Sequence, residues 1–363
     1  MKKRLVGYLC LLGGIFIQAN ACTGISLKTV DNNYVQGRTI EWGEYVLKSD
    51  LIIGQRGLNY ESYTPDGGKG FKWKGKYGFV GISLMADNFI GEGINEKGLT
   101  AGIFYFTRYG SLAKYNKKDT KKSLMDMEFV RWVLSSFSTV DEVEAALKNI
   151  VIVPTGYDKD GNPFPTGHWR VTDKDGNNIV IEIVDNGKIE IFKNKVGVIT
   201  NAPGYEWQTT NLNNYINLQP GGIASKKMGE QNIFPFGAGT GLLGLPGDVT
   251  PPSRFIRAAI YANNTPELKN SKDAVKETFH ILNNFDIPIG IQFADKNHIP
   301  KDLLSATQWT TAIDQNNGKF YYKTMFNSQI RMVDLKTINF DKCGYKILPL
   351  DKSKEENIEK IKI

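Results

Sequence analysis

The stretch "ACTGISLKTVDNNYVQGRTIEW" (21–42) places a cysteine at the head of a strand-like run. Two β-rich runs, 24–30 and 34–42, flank Asp31-Asn32-Asn33, a trio that favours a turn. A papain-like Cys–His pair would want its cysteine at a helix start, and this one opens a strand. Four readings of Cys22 stand at this point: core filler, half of a disulfide, a lipid anchor, or a nucleophile exposed by cleavage.

The preceding residues narrow the choice. Met1-Lys2-Lys3-Arg4 is a basic start, 5–17 is an apolar core, and Ala19-Asn20-Ala21 is a small-residue cleavage pattern. The apolar core contains Gly13-Gly14 and falls short of the roughly 20 residues a membrane-spanning helix needs. No later segment qualifies either. Residues 1–21 are therefore expected to be a signal peptide, removed after Ala21, with the mature chain periplasmic or secreted. Cys22 then becomes the first residue. A lipid anchor on Cys22 would favour Leu three residues before it and a small residue two before, where Ala19 and Asn20 stand. Cys10 leaves with the signal, so Cys22 and Cys343 remain, and in an exported chain they are free to pair.

The chain has 363 residues, of which 41% are hydrophobic and 23% charged, values of an ordinary globular protein. Of its net charge of +7, three positive charges sit at Lys2, Lys3 and Arg4. The remaining lysines are spread out and do not interleave with aromatics in one patch, so nucleic acid is not an expected partner. There is no HExxH, CxxC pair or acid-rich calcium loop, and neither metal nor cofactor is expected. Gly239, Gly241 and Gly244 match G-x-G-x-x-G, but the run continues into Leu245-Pro246-Gly247-Asp248 instead of opening a helix. Dinucleotide binding is rejected; the glycines are expected to let a loop lie flat, as a site wall would.

Strand-like runs continue through 50–57, 77–84 and 99–106, with 95–98 as a hairpin connection. Ser123 and Asp126 are placed to cap a helix carrying Leu124, Met127, Val130, Leu134 and Phe137 on one face. Thr139 and Glu142 form a capping-box pattern for a second helix to about Asn149. Hairpin strands lie between 168 and 200, helices near 252–264 and 271–285, and a last hairpin over 307–326. The tail from Asp351 is charged and expected to be solvated. Strand blocks alternating with helix blocks predict an α+β fold of antiparallel sheets with helices on outer faces. No linker or repeat divides it.

A terminal cysteine carries its own base. Its free α-amine has a reference pKa of about 7.7–8.0 and can take the thiol proton directly or through a water. His168, His280 and His298 are then not needed; His168 opens a strand, His280 reads as a satisfied structural side chain on its helix, and His298 lies in a loop. A cation near the sulfur favours thiolate, and a carboxylate near the amine positions it. Arg38 and Glu41 in "GRTIEW" supply both types, although periodicity alone reads them as surface strand charges.

Several long motifs then fall in the right order: "CTGISLKTVDNNYVQGRTIEW", "GINEKGL", "VGVITNAPGYEWQTTNLNNY", "GTGLLGLPGDVTPPSRFIR" and "FHILNNFDIPIG". Across essentially the whole mature chain the sequence resembles the choloylglycine hydrolases, the N-terminal-nucleophile hydrolases that include conjugated bile salt hydrolases and penicillin V acylases. The resemblance implies a four-layer αββα sandwich over 22–363 as one domain, and hydrolysis of a linear amide C–N bond. It puts Cys22 on the nucleophile, Arg38 on an active-site arginine, and Glu41 where relatives usually carry aspartate. It puts Asn201 on the oxyanion-hole asparagine and Arg254 on a second arginine supporting the network around Cys22. Tyr105 falls where bile salt hydrolases typically have asparagine and penicillin V acylases tyrosine. The expected substrate is an amphipathic amide, a conjugated bile salt first and penicillin V second. Relatives are often tetramers, so a homotetramer is the assembly the resemblance suggests. The reading of another class is an exported, non-catalytic lipoprotein anchored through Cys22.

Overall fold

The computed structural model describes residues 21–164 and 167–362. Of the expected signal peptide 1–21, residues 1–20 lie outside these, and Ala21 opens the first strand. Two large antiparallel sheets organise the chain. The first runs in the order Val198–Ile199, Ala21–Lys28, Tyr34–Glu41, Thr307–Asp314, Lys319–Thr324, Arg331–Asp334. The second runs Lys188–Lys193, Asn178–Val184, Gly167–Thr172, Thr100–Tyr105, Ala86–Asn95, Phe79–Leu84, Asp50–Gly54, Lys346–Pro349. The expected turn at Asp31–Asn33 closes the hairpin between Ala21–Lys28 and Tyr34–Glu41, and Asn32 takes a left-handed φ of 59° there.

Helices Pro251–Asn263 and Ser271–Leu282 cover the outer face of the first sheet, and helix Phe129–Ser136 covers the outer face of the second. The sheets face each other in between, which is the four-layer αββα arrangement. Central strands are therefore covered on both faces. Tyr34–Glu41 is buried along nearly its whole length, Arg38 and Glu41 included, and neither is a surface charge. Helix Ser271–Leu282 comes so close to Gly37 that a Cβ there would stand 2.2 Å from Thr278 Cγ2.

The helix expected from Ser123 begins later. Ser123–Met125 is a short strand paired in parallel with Val151–Val153, Asp126–Glu128 is a 3-10 turn, and the α-helix is Phe129–Ser136. Ser123 does not cap, because its hydroxyl donates back to the Asp119 carbonyl at 2.9 Å. The Thr139 cap forms as expected: its hydroxyl accepts from the Glu142 backbone N–H at 3.2 Å, and helix Val140–Leu147 follows. Residues 352–362 are exposed and irregular.

Candidate active site

In the register of the first hairpin, Ala21 opposes Glu41, Cys22 opposes Ile40, Thr23 opposes Thr39 and Gly24 opposes Arg38. Opposed residues share a face and successive residues alternate. Cys22, Gly24 and Arg38 thus look into the space between the sheets. Ala21, Thr23, Thr39 and Glu41 look toward helix Pro251–Asn263.

On the inner face, the Arg38 guanidinium donates through Nη2 to Cys22 Sγ at 2.9 Å. Its Nη1 donates to the carbonyls of Ile103 at 2.6 Å and Gly91 at 3.0 Å. The same nitrogen lies 3.5 Å from Glu92, which also pairs with Arg170 at 3.2 Å. Arg170 in turn donates to the Ile25 carbonyl at 3.0 Å. These three charged side chains are at most 1% exposed, so each would be costly alone and is held by the others and by carbonyls. Burial pushes the Glu92 carboxyl up, opposed first by Arg170 and then by Arg38. Two glycines make room for the cluster. A Cβ on Gly24 would meet Phe104 at 2.8 Å and Arg170 Nη1 at 2.9 Å, and one on Gly102 would meet Glu92 Oε2 at 2.0 Å.

On the outer face, helix Pro251–Asn263 delivers Arg254. Its Nη1 donates to the Cys22 carbonyl at 2.6 Å and to Thr23 Oγ1 at 2.7 Å, and its Nη2 donates to Asn201 Oδ1 at 2.8 Å. That oxygen also accepts from the Cys22 backbone nitrogen at 2.7 Å. Asn201 Nδ2 donates to the Tyr105 carbonyl at 2.8 Å, which leaves the second of its two N–H groups for another acceptor. Both ends of Cys22 are gripped: nitrogen by Asn201, sulfur by Arg38.

The thiol sits in a mixed field. Burial pushes it up; Arg38 opposes this most, Glu41 adds to it, and the Tyr105 backbone amide and Arg254 pull it down. Glu41 is buried with neither carboxylate oxygen hydrogen-bonded. Burial pushes its carboxyl up to about 7, against Arg254, the Thr39 hydroxyl and Arg38. The Thr39 hydroxyl is near enough to favour the anion without completing a hydrogen bond.

All six residues expected from sequence converge here: Cys22, Arg38, Glu41, Tyr105, Asn201 and Arg254. Glu92 and Arg170 were missed. Their signal was a lone charge in each of two otherwise apolar strand runs, "FIGEGI" and "HWRV". No histidine touches Cys22. His168 is buried between Glu182 and the Thr200 carbonyl, both at 2.9 Å, and stacks on Phe106 at 4.4 Å. His280 proves exposed instead of structurally satisfied, beside Glu277, and His298 is exposed beside Asp295. Cys22 and Cys343 are both free thiols. The glycine loop is not a wall of this cluster: Gly241 packs on the Gln219 carbonyl, and Gly239 and Gly244 face open space.

A buried strand cysteine between two arginines, with the Asn201 side-chain amide beside it, fits a hydrolase acting on linear amide C–N bonds. Residues 22–348 match the family described as linear amide C-N hydrolases, choloylglycine hydrolase family, and the chain belongs to that family. It is 35% identical over 328 residues to a bile salt hydrolase/transferase of Clostridium perfringens, covering 88% of this chain and 94% of that protein. A solved structure of a mutant conjugated bile acid hydrolase from Clostridium perfringens superposes with TM-score 0.78 at 32% identity, covering 94% of this chain and all of that one. Penicillin V acylase from Agrobacterium tumefaciens superposes with TM-score 0.72 at 25% identity, covering 91% and 92%.

Proposed function

We propose that the chain is exported, loses residues 1–21, and hydrolyses conjugated bile salts to free bile acid and glycine or taurine. The observation that carries this reading is the double grip on Cys22, whose sulfur meets Arg38 and whose nitrogen meets Asn201. Loss of Ala21 turns that nitrogen from an amide into an amine. The amine accepts the thiol proton, and Sγ attacks the substrate carbonyl. Electron density moves to the carbonyl oxygen, held by the free Asn201 N–H and the Tyr105 backbone. As the C–N bond breaks, the amine returns the proton to the departing nitrogen, leaving a thioester. Water, deprotonated by the same amine, attacks the thioester; the C–S bond breaks and the acid leaves. Arg38 favours the thiolate. Arg254 holds the Cys22 carbonyl and Asn201 in place, and Glu41 faces the new positive charge from the next residue pair.

Similarity to bile salt hydrolases at 35% identity favours bile salts over other amides. A second reading, penicillin V hydrolysis, is favoured by Tyr105 at the acylase-like position and by the acylase structure above. Parallel assays on glycocholate, taurocholate and penicillin V test it. The account expects the bile salts to have the higher kcat/KM. A preference for penicillin V would install the second reading, and turnover of none would refute both.

A further inference from the structure

The loop that follows Tyr105 builds a second pocket. A cavity of about 270 Å³ is lined by residues of 106–114 together with Pro163, Phe164 and Asn186. We propose that this pocket receives the anionic end of the amide substrate and that Arg108 reads its charge, with Lys114 in support. The inference rests on the amide-hydrolase reading above and adds the part of the substrate it grips.

The pocket begins one residue past Tyr105, whose carbonyl is tied to Asn201. Three residues of chain span at most about 10 Å, so the Arg108 backbone lies within that distance of Tyr105. Its frame is fixed. Ser111 donates its N–H to the Ile183 carbonyl at 2.7 Å and accepts from Gly187 at 2.8 Å, while its hydroxyl accepts from the Asn186 N–H at 2.9 Å. Tyr115 N–H donates to Tyr157 Oη at 2.9 Å. Phe106 is stacked on the doubly bonded His168 ring.

On this frame Arg108 adopts φ 67°, a left-handed conformation that glycine takes freely and arginine only at a cost. Such strain concentrates at ligand clamps. The Arg108 and Lys114 side chains are exposed, and neither has an acidic partner among the described residues. Two unpaired cations beside the Phe106 and Phe164 rings suit an organic anion, and a guanidinium can hold a carboxylate or sulfonate through paired N–H groups. The cavity falls below the roughly 300–1,000 Å³ of pockets that enclose a whole drug-sized ligand, so it suits one end of the substrate. Glycine and taurine conjugates and penicillin V all carry an anion a few bonds beyond the scissile nitrogen. The charge read is therefore that of the departing amine.

The test compares glycocholate with its neutral glycinamide analogue. Arg108→Gly removes the charge while suiting the backbone, so folding is retained. The ratio of kcat/KM for anionic over neutral substrate is expected to fall about ten- to a hundredfold, chiefly through KM, with Arg108→Lys recovering part of it. Lys114→Ala is expected to lower the ratio by a smaller factor. Added salt should lower the wild-type ratio toward that of Arg108→Gly. Should the wild type prefer penicillin V, the same ratio is taken against its methyl ester. A ratio unmoved within twofold in Arg108→Gly overturns this pocket assignment while leaving the hydrolase reading intact. A wild type that cleaves neither substrate class overturns the reading itself.

Discussion

Ala21 and Glu41 face each other across the first hairpin, and both buried oxygens of the Glu41 carboxylate lack a hydrogen-bond partner. The unsatisfied carboxylate lies opposite the residue whose loss would create an ammonium. An orphaned buried anion is costly, and a cation generated next to it offsets that cost.

This arrangement has a pH signature in a chain that keeps Ala21. The Glu41 carboxyl is raised from the usual 4.5 to about 7. Between those values the folded chain holds a proton that the unfolded chain has released. Stability from this group is full below about pH 4.5 and is lost as pH rises through 7, by on the order of 3 kcal/mol. Glu41→Gln should flatten that fall in urea unfolding measured at pH 4.5, 6 and 8. Parallel wild-type and variant curves would show that Glu41 is not the titrating group.

Arg38 is the main influence holding the buried Cys22 thiol down. Arg38→Met should move thiol alkylation by iodoacetamide, and the acid limb of kcat/KM, to higher pH. It should also leave Glu92 with one arginine where it had two and destabilise the fold by about 3 kcal/mol. An alkylation pH profile that coincides with that of wild type would remove Arg38 from the account.

Asn201 bridges Cys22, Arg254 and Tyr105. Asn201→Ala should lower kcat about 10²–10³-fold, the usual loss for one oxyanion donor, with a smaller change in KM. Turnover within threefold of wild type would place the oxyanion elsewhere.

Cys22→Ser should cut turnover by about 10³-fold or more while the melting temperature shifts by only a few degrees, since the hydroxyl can still accept from Arg38. Substantial hydrolysis by that variant would exclude the sulfur as nucleophile.

The strands were legible because alternation and turn residues such as Asp31–Asn33 act locally. The six residues of the site were legible through motif order, not through periodicity. Periodicity reads Arg38 and Glu41 as surface charges, and only the second sheet and helix Pro251–Asn263 bury them. Glu92 and Arg170 escaped for a related reason: they pair 78 positions apart, from strands on either side of Thr100–Tyr105 in the second sheet, and that strand order has no local mark in the sequence. The helix expected at Ser123 began late because the strand Val151–Val153 competes for that backbone, a non-local pairing with no local mark. The hairpin Asn59–Tyr63 with Lys69–Lys74 was also missed, its aromatic residues lying among lysines.

N-terminal sequencing of the catalytically active, exported protein tests the central claim most directly. The account predicts a first residue of Cys22 with an unmodified α-amine. An active protein that begins at any other residue, or carries an acyl group on that nitrogen, would contradict it.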